Sequence, residues 1–213
     1  MRVSSHSETP LLVAKLGGSL HAAPELSRWI AALKNWPGRL TLVCGGGPFA
    51  DTVRNIQPKM GFADATGHAM ALLAMEQYAL ALAGIFRLDL AATKPDIDAH
   101  HARGQPALWR PSTMVAAATG IAADWRVTSD SLAAWLAHET QASMLLLIKS
   151  VDVAPDLSVE DLVAREVVDH AFTAYHKKTP LFVAGPRAVN NAARQLAEAT
   201  PPGVAIGLRK KIA

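Results

Sequence analysis

The chain has one cysteine and few aromatic or charged residues for its length. Of 213 residues, 6% are aromatic and 18% are charged, with a formal net charge of +3. So small a positive excess does not build the basic surface that polyanions require, and we expect no nucleic-acid partner. The lone cysteine, Cys44, cannot form an internal disulfide. Its apolar neighbours predict a buried structural thiol in a reducing compartment.

The sequence also lacks signals for export and for membrane insertion. Residues 1–10 are polar and carry neither an apolar signal core nor a cleavage-site pattern. No run of roughly eighteen residues is apolar throughout, because Glu76 and Gln77 interrupt the Ala/Leu-rich stretch after Ala69. We therefore expect a soluble, cytoplasmic protein with no membrane partner.

Short apolar runs alternate with segments whose apolar residues recur at helical spacing. This alternation predicts a parallel sheet covered by helices on both faces. A chain of this length with 50% hydrophobic residues can bury one sizeable core, so we expect a single domain over residues 1–213. The predicted strands are Leu11–Ala14, Leu40–Cys44, Ser143–Ile148, Pro180–Ala184 and Val204–Ile206.

The predicted helices fill most of the gaps between these strands. They are Pro24–Leu33, a helix that begins near Pro48, Thr66–Phe86, Ser129–Glu139, Val159–Tyr175 and Pro186–Ala199. The stretch Ala91–Gly120 shows no periodicity around Pro95, and we expect an irregular loop there that could contain a hairpin.

A cluster of candidate metal ligands lies in that irregular stretch. Asp96, Asp98, His100 and His101 are close in sequence. Their spacing matches no established ligand pattern, so no protein metal site is predicted.

Glycine-rich turns follow the first two predicted strands, where open α/β sheets collect ligands. In Lys15–Leu20, two glycines let backbone N–H groups approach an anion, and Lys15 supplies a cation. In Gly45–Asp51, three glycines precede the helix start at Pro48, so loop and helix N–H groups can bind a second anion. Two anion sites on one sheet edge suit the donor and the acceptor of a phosphoryl group.

A carboxylate and a second lysine are predicted to join the same sheet edge. Asp130 lies at a helix start, and Lys149 and Asp152 follow the next strand. Phosphoryl transfer depends mainly on positioning and charge neutralisation. We expect an exposed Lys15 to bridge the transferred group, Lys149 to contact nucleotide phosphates, and Asp130 to hold the lysines by charge-assisted hydrogen bonds. Asp152 could orient Lys149 or reach Mg²⁺ through water.

Neither the Walker A pattern nor the G-x-G-x-x-G dinucleotide fingerprint occurs in the chain. Instead, Val13–Ser19, Leu42–Ala50 and Thr128–Ala134 resemble the amino acid kinase superfamily in order and spacing. The resemblance implies a three-layer α/β/α sandwich with a mostly parallel sheet of about eight strands. It also implies a homo-oligomeric kinase that uses ATP and Mg²⁺, with Lys15 as the catalytic lysine and Asp130 as its organiser.

The resemblance further predicts which residues hold each ligand. The nucleotide-binding residues are expected to lie in the first turn and after the strand that ends near residue 148: Gly17, Gly18, Ser19, Lys149 and Asp152. The acceptor-binding residues are expected to be Gly45, Gly46, Gly47, His68 and Trp109. For the second phosphate-binding lysine the candidates are Lys149, Lys178 and Lys210, of which we favour Lys149.

Within that superfamily, two segments resemble the branch that phosphorylates 5-(aminomethyl)-3-furanmethanol phosphate to a diphosphate in methanofuran-type cofactor synthesis. They are Gly67–Tyr78 and Leu108–Ser112. His68 is either a core histidine or a contact to the substrate phosphate. Trp109, in a loop before Arg110, could cover a small flat ring and its cationic amine.

Two alternatives to this reaction remain open. The first is a kinase of the same fold that acts on another small phosphate, a carboxylate or a carbamate. The second is a regulatory or storage protein that binds nucleotide without turnover. The presence of both Lys15 and Asp130 argues against the second alternative.

Overall fold

The apolar runs form one seven-stranded sheet in a computed structural model that describes residues 9–207. The strands are β1 Leu11–Leu16, β2 Arg39–Cys44, β3 Asp89–Ala91, β4 Ala107–Trp109, β5 Met144–Ile148, β6 Leu181–Ala184 and β7 Val204–Ile206. Their order across the sheet is β3-β4-β2-β1-β5-β6-β7. All neighbours are parallel except β6 and β7, so the last strand is antiparallel rather than parallel as predicted.

Helices connect the parallel strands, as crossover connections require. They are α1 Glu25–Leu33, α2 Gly47–Met60, α3 Asp64–Phe86, α4 Lys94–Ala102, α5 Pro111–Ala117, α6 Ser129–Glu139, α7 Val159–Ala164, α8 Phe172–Tyr175 and α9 Val189–Ala197. Short 3-10 turns cover Gly18–Ala22 and Pro186–Ala188.

Alternate residues of the central strands enter two separate cores. On β1, Val13 joins a core that includes Leu132 of α6, whereas Leu12 joins one that includes Trp29 of α1. This alternation follows from the two-residue period of a strand. The predicted α/β/α sandwich is therefore confirmed, with helical layers on both faces of the sheet.

The stretch predicted as an irregular loop begins at the last residue of β3 and contains three regular elements, α4, β4 and α5. Strands β3 and β4 are parallel, so no hairpin forms. Thr93 and Asp96 make a capping box, in which Thr93 Oγ1 accepts from the Asp96 N–H at 3.2 Å and the Asp96 carboxylate accepts from the Thr93 N–H at 2.9 Å. Pro95 stands in the first turn, where proline is tolerated. It therefore begins a helix instead of interrupting one.

The helix predicted over residues 159–175 is divided into α7 and α8. Ser158 and Asp161 form a capping box at the start of α7. Glu166 adopts a left-handed conformation with φ of 54°, shortly after α7 ends. The irregular segment between the two helices carries Asp169, which contacts the start of α6.

Helix α3 is long and apolar enough to cross a membrane by length and composition alone. It has 23 residues, and its most apolar 18-residue window has a mean hydropathy of 1.6. Core helices of soluble proteins pass the same test. In this structure Leu72, Met75 and Leu82 are buried, and Glu76 accepts a hydrogen bond from Arg110 Nη2 at 2.8 Å. One side of α3 is thus part of the protein core.

Candidate active site

The carboxyl ends of β1, β2 and β5 bring the glycine-rich turns and the second lysine to one edge of the sheet. The Gly17 N–H donates to the Ile148 carbonyl at 2.9 Å, which ties the first turn to β5. The Gly45 N–H donates to the Leu16 carbonyl at 2.9 Å, which ties the second turn to β1. The predicted convergence of these turns is therefore present in the structure.

The two glycine-rich turns pack backbone against backbone. A Cβ atom on Gly18 would lie 2.6 Å from the Gly47 nitrogen, and one on Gly45 would lie 2.5 Å from the Gly18 nitrogen. Gly47 also has a φ of 54°, which disfavours other residues. A Cβ on Gly46 would lie 2.3 Å from Ala50 Cβ. Glycine at these positions is thus required by the packing of the two turns against each other and against α2.

Lys15, Asp130 and Lys149 form a buried ion-pair cluster, which we call the lysine clamp. Lys15 Nζ lies 2.8 Å from Asp130 Oδ1, and Lys149 Nζ lies 2.6 Å from Asp130 Oδ2. Lys15 is only 3% exposed and Asp130 5% exposed. The expectation that Lys15 is exposed was wrong, because the first turn of α6 covers the end of β1 with Asp130. The predicted contact of Asp130 with both lysines is present.

The lysine clamp carries more positive than negative charge. Burial alone raises the pKa of Asp130, but Lys15 and Lys149 together lower it below its ordinary value, so the carboxylate is ionised. Burial and the charge of Lys15 lower the pKa of Lys149 to about 8, against the opposing effect of Asp130. One carboxylate cannot balance two ammonium groups. The clamp is therefore suited to receive an anion, whose charge would favour protonated Lys149.

Asp152 does not orient Lys149. Its carboxylate accepts hydrogen bonds from Arg187, at 2.9 Å from Nε and 3.2 Å from the backbone N–H. A Cβ on Gly185 would lie 2.5 Å from the Asp152 Cα, so the turns after β5 and β6 are in close contact. The first alternative for Asp152, that it orients Lys149, was wrong, because Arg187 holds its carboxylate. A role for Asp152 in nucleotide binding stays a prediction.

The other two candidates for the second lysine do not contribute to the described clamp. Lys178 is exposed on the segment before β6. Lys210 lies outside the described residues. Beside the clamp, Ser19 Oγ donates to Ser150 Oγ at 3.1 Å, which places the first turn next to the residues that follow Lys149.

A cavity of about 260 Å³ lies next to the glycine-rich turns, and we call it the acceptor pocket. Helices α2 and α3 and the segment 125–132 form its other walls. Leu72, Met75 and Trp125 provide an apolar side, and Arg54 and His68 provide nitrogen atoms. The pocket therefore combines a flat apolar wall with hydrogen-bond donors, a composition typical of small-molecule sites.

His68 carries an unpartnered polar atom in the wall of this pocket. The residue is 5% exposed, and its Nε2 has no hydrogen-bond partner within the part of the chain that is described. Burial lowers the pKa of the imidazole, while a backbone hydrogen bond and the charge of Asp124 oppose that shift. A buried polar atom without a partner is costly unless a ligand satisfies it. The position is compatible with the predicted role of His68 as a substrate contact.

Arg54 and Trp125 were not predicted as pocket residues. The Arg54 guanidinium carbon lies 4.6 Å from the Trp125 ring centroid, and Asp51 holds the same guanidinium at 3.2 Å. Trp125 Nε1 donates to Gln57 Oε1 at 2.5 Å. The available sequence signal was the position of Asp51 and Arg54 on one face of the helix that begins with the glycine-rich turn.

Trp109 does not line the acceptor pocket. It ends β4, is 1% exposed, and packs against Trp135 with ring centroids 6.0 Å apart. Its Nε1 donates to Met114 Sδ at 3.2 Å. The prediction of a loop tryptophan with a free aromatic face was wrong, because the residue belongs to a strand inside the core. Trp125 is the tryptophan that contributes a ring to the pocket.

Within residues 9–207, no three or more His, Cys, Asp or Glu side chains are placed together to hold a metal ion. Asp96 caps α4, and Lys94 pairs with Asp98 at 2.6 Å. Both carboxylate oxygens of Asp130 already face lysines. A magnesium ion at this edge would therefore rely mainly on the phosphate oxygens of a nucleotide, as is common for Mg²⁺.

The family of the protein is given by its sequence. The sequence profile of the Amino acid kinase family matches residues 10–154, well over half of the chain. The protein belongs to the amino acid kinase family.

The chain is also similar to individual proteins of known activity. The chain is 27% identical over 151 residues to "[5-(aminomethyl)furan-3-yl]methyl phosphate kinase" from Methanocaldococcus jannaschii, a match that covers 68% of this chain and 65% of that relative. The match thus spans less than two thirds of the relative's length.

Solved structures support the fold. A uridylate kinase from Archaeoglobus fulgidus superposes with a TM-score of 0.66 at 19% identity, covering 92% of this chain and 99% of its own. A UMP kinase from Bacillus anthracis gives 0.62 at 15% identity, covering 95% and 98%. At these identities the likeness shows a shared α/β architecture.

Proposed function

We propose that the protein is an ATP-dependent kinase that phosphorylates a small phosphorylated alcohol to its diphosphate. The candidate acceptor is [5-(aminomethyl)furan-3-yl]methyl phosphate. The observation that carries the proposal is the lysine clamp, with Nζ–Oδ distances of 2.8 and 2.6 Å, beside a small pocket with an unpartnered histidine nitrogen. A buried positive charge next to an acceptor-sized cavity suits phosphoryl transfer.

The acceptor pocket favours a small, partly flat acceptor with an anionic group. Its volume of about 260 Å³ is at the lower end for small-molecule sites. His68 Nε2 and the N–H groups of Gly46 and Gly47 could bind a phosphate, while Trp125 and Met75 could contact a ring. The 27% identity to a kinase whose name states such a substrate supports the same choice.

The proposed reaction follows from the charges at the sheet edge. An oxygen of the acceptor phosphate forms a bond to the γ-phosphorus of ATP, and the bond from that phosphorus to the β,γ-bridging oxygen breaks to release ADP. The acceptor phosphate is already ionised, so the attack needs no general base. Lys15 and Lys149 would neutralise the charge on the transferred group and the leaving phosphates, and Asp130 would keep both ammonium groups in position. Bound Mg²⁺ would add further neutralisation of the ATP phosphates.

An acceptor screen tests this proposal. Purified protein is incubated with MgATP and, separately, with the aminomethylfuran phosphate, UMP, a carboxylate acceptor or no acceptor. ADP release is measured, and ³¹P NMR identifies the product. We expect ADP release and diphosphate signals with the furan phosphate. Turnover with another acceptor instead would show that the furan phosphate is the wrong acceptor. ATP binding without turnover would support the regulatory alternative.

We also propose a cytoplasmic homo-oligomer. The buried, unpaired Cys44 suits a reducing compartment. Leu73 and Leu80 of α3 are 53% and 54% exposed and lie seven residues apart on one face of the helix, which a second copy of the chain could cover. Sedimentation of the wild type and a Leu80→Glu variant tests the assembly. A monomeric wild type would contradict it.

A further inference from the structure

Asp169 accepts hydrogen bonds from the segment that carries Asp130. Its Oδ2 accepts from the Thr128 N–H at 3.0 Å, the Thr128 hydroxyl at 2.8 Å and the Ser131 N–H at 3.0 Å. Its Oδ1 accepts from the Ser131 hydroxyl and from the Ala171 N–H at 3.2 Å. Four of these five bonds join the irregular segment between α7 and α8 to the start of α6.

These bonds replace the local cap that α6 lacks. Thr128 is the N-cap residue of α6, yet its side chain makes no capping bond to the helix, and its hydroxyl donates to Asp169 instead. The Ser131 N–H is one of the first-turn donors that have no partner within a helix. The Asp169 carboxylate satisfies this donor and places a negative charge at the positive end of α6. The orientation of the first turn of α6 therefore depends on a residue 38 positions away from Ser131.

Asp130 lies in the turn that Asp169 holds. It stands between Thr128 and Ser131, and both of its carboxylate oxygens contact clamp lysines. Thr128 and Ser129 also line the acceptor pocket. A shift of this turn would therefore move the clamp carboxylate and one wall of the pocket together.

Three more bonds join the Asp169–Tyr175 segment to residues 120–126, which lead into the pocket wall. The Ala171 N–H donates to the Arg126 carbonyl at 3.2 Å. Tyr175 Oη accepts from the Ala122 N–H at 2.9 Å and donates to the Gly120 carbonyl at 3.2 Å. The segment thus supports residues 120–131 along their length, with Asp169 at the end nearest the lysine clamp.

We propose that Asp169 is a positioning residue, which fixes the first turn of α6 so that Asp130 holds Lys15 and Lys149 at their working distances. This inference rests on the proposed function of the clamp. Asp169 itself would touch neither nucleotide nor acceptor. Its effect on catalysis would pass through Asp130 and the adjoining pocket wall, together with its own charge, which raises the pKa of Lys149.

The primary test is Asp169→Asn, matched with Asp161→Asn. All five groups that face Asp169 are donors, so an amide must direct its own N–H₂ group toward at least one of them. Asp161 caps α7 in the same part of the chain and accepts from the Ser158 N–H at 2.9 Å, without contacting α6. We expect each variant to lower the melting temperature by about 2–4 °C. Only Asp169→Asn should also lower kcat, by roughly tenfold or more, with the KM for ATP changed less.

A second variant guards against a folding failure. Ser131→Ala removes one donor to Asp169 and leaves the carboxylate in place. We expect a severalfold fall in kcat with little change in melting temperature. If Asp169→Asn and Ser131→Ala both keep wild-type kcat, or if Asp161→Asn loses kcat equally, Asp169 has only a structural role.

Lysine labelling needs no acceptor, so it tests the position of Asp130 even if the proposed kinase activity is wrong. Lys15 and Lys149 are labelled with an amine-reactive reagent at pH 8, and the labelling of each lysine is followed by peptide mass spectrometry. We expect several-fold faster labelling of both lysines in Asp169→Asn than in the wild type or Asp161→Asn, because a displaced Asp130 releases both ion pairs. Loss of the Asp169 charge alone would speed the labelling of Lys149 but not of Lys15. Unchanged labelling would overturn the inference. Faster labelling in a protein with no kinase activity would support it and count against the proposed function alone.

Discussion

The lysine clamp and the acceptor pocket adjoin each other, but their polar groups are satisfied in opposite ways. In the clamp, both ammonium groups contact a carboxylate that is 5% exposed. In the pocket, His68 Nε2 has no partner among the described residues, and apolar side chains form much of the wall. The clamp is thus organised before any ligand arrives, whereas the pocket offers a polar atom that only a ligand would satisfy.

We therefore expect the clamp to determine the rate of phosphoryl transfer and the pocket to determine which acceptor binds. Cations fixed in advance stabilise a developing charge without reorganisation, so the clamp would act on the transferred phosphoryl group with any acceptor. A buried polar atom without a partner discriminates between acceptors that satisfy it and acceptors that do not. Changes in the clamp should therefore reduce turnover, and changes in the pocket should reduce acceptor affinity.

The largest expected effect comes from Lys15→Met. Methionine fills a similar volume but removes a charge needed in the transition state, so kcat should fall by roughly a hundredfold or more. It also leaves Asp130 Oδ1 buried without its lysine, at a cost of about 1–3 kcal/mol in the free energy of unfolding. Initial rates and urea denaturation measure both effects. The exposed Lys178→Met is the matched control and should match the wild type in both measurements.

Asp130→Asn should be nearly as damaging to turnover. The N-cap residue of α6 is Thr128, and the ion pairs of Asp130 are with the two lysines. An amide leaves both cations buried without a counter-charge, which should lower kcat by roughly ten- to a hundredfold and stability by about 3–5 kcal/mol. Single-turnover rates and melting temperature on one sample measure these effects. A wild-type rate would reduce Asp130 to a structural residue.

His68→Phe tests whether the pocket, unlike the clamp, determines the affinity for the acceptor. Phenylalanine keeps a ring but removes both nitrogens, and with them the unpartnered Nε2 and the hydrogen bond to the Asp124 backbone, so the free energy of unfolding should fall by about 1 kcal/mol. Without that nitrogen, the KM for the phosphorylated acceptor should increase by about tenfold, while the KM for ATP stays near the wild-type value. Steady-state kinetics with each substrate varied in turn measures this split. An equal rise in both constants would show that the pocket assignment is wrong.

The smallest expected effect is a pH dependence of ATP capture. The pKa of Lys149 is lowered to about 8, so in the free enzyme this lysine loses its charge as the pH rises through that value. The ratio kcat/KM for ATP, which reports the free enzyme, should fall severalfold between pH 8 and 9. Bound phosphates favour the charged form, so kcat should hold to a higher pH. Lys149→Arg stays charged and should flatten the profile. The same fall in that variant would exclude Lys149 as its source.

The central strands and the lysine clamp were predictable because their signals are local. Lys15 and Lys149 directly follow apolar runs, and parallel strands bring their carboxyl ends to one edge. The burial of Lys15 was not predictable in this way, since it depends on how α6 packs over β1. Burial makes a lysine substitution matter for stability as well as for rate.

The failures concern residues whose partners are distant or whose local signal was misinterpreted. Pro95 was taken as a helix breaker although Thr93 and Asp96 supply a capping box around it. Trp109 was placed in a loop because β4 has only three residues, too few to show a strand period. Asp169 has no local pattern, because its partners lie 38 and 41 positions earlier in the chain.

The most direct test of the account is ³¹P NMR of MgATP with [5-(aminomethyl)furan-3-yl]methyl phosphate, using wild type and Lys15→Met side by side. The account predicts that wild type converts ATP to ADP and gives equal amounts of a new diphosphate ester. Lys15→Met should give roughly a hundredth of that product or less over the same time. Equal product from both proteins, or wild-type ADP release without a phosphorylated acceptor, would contradict it.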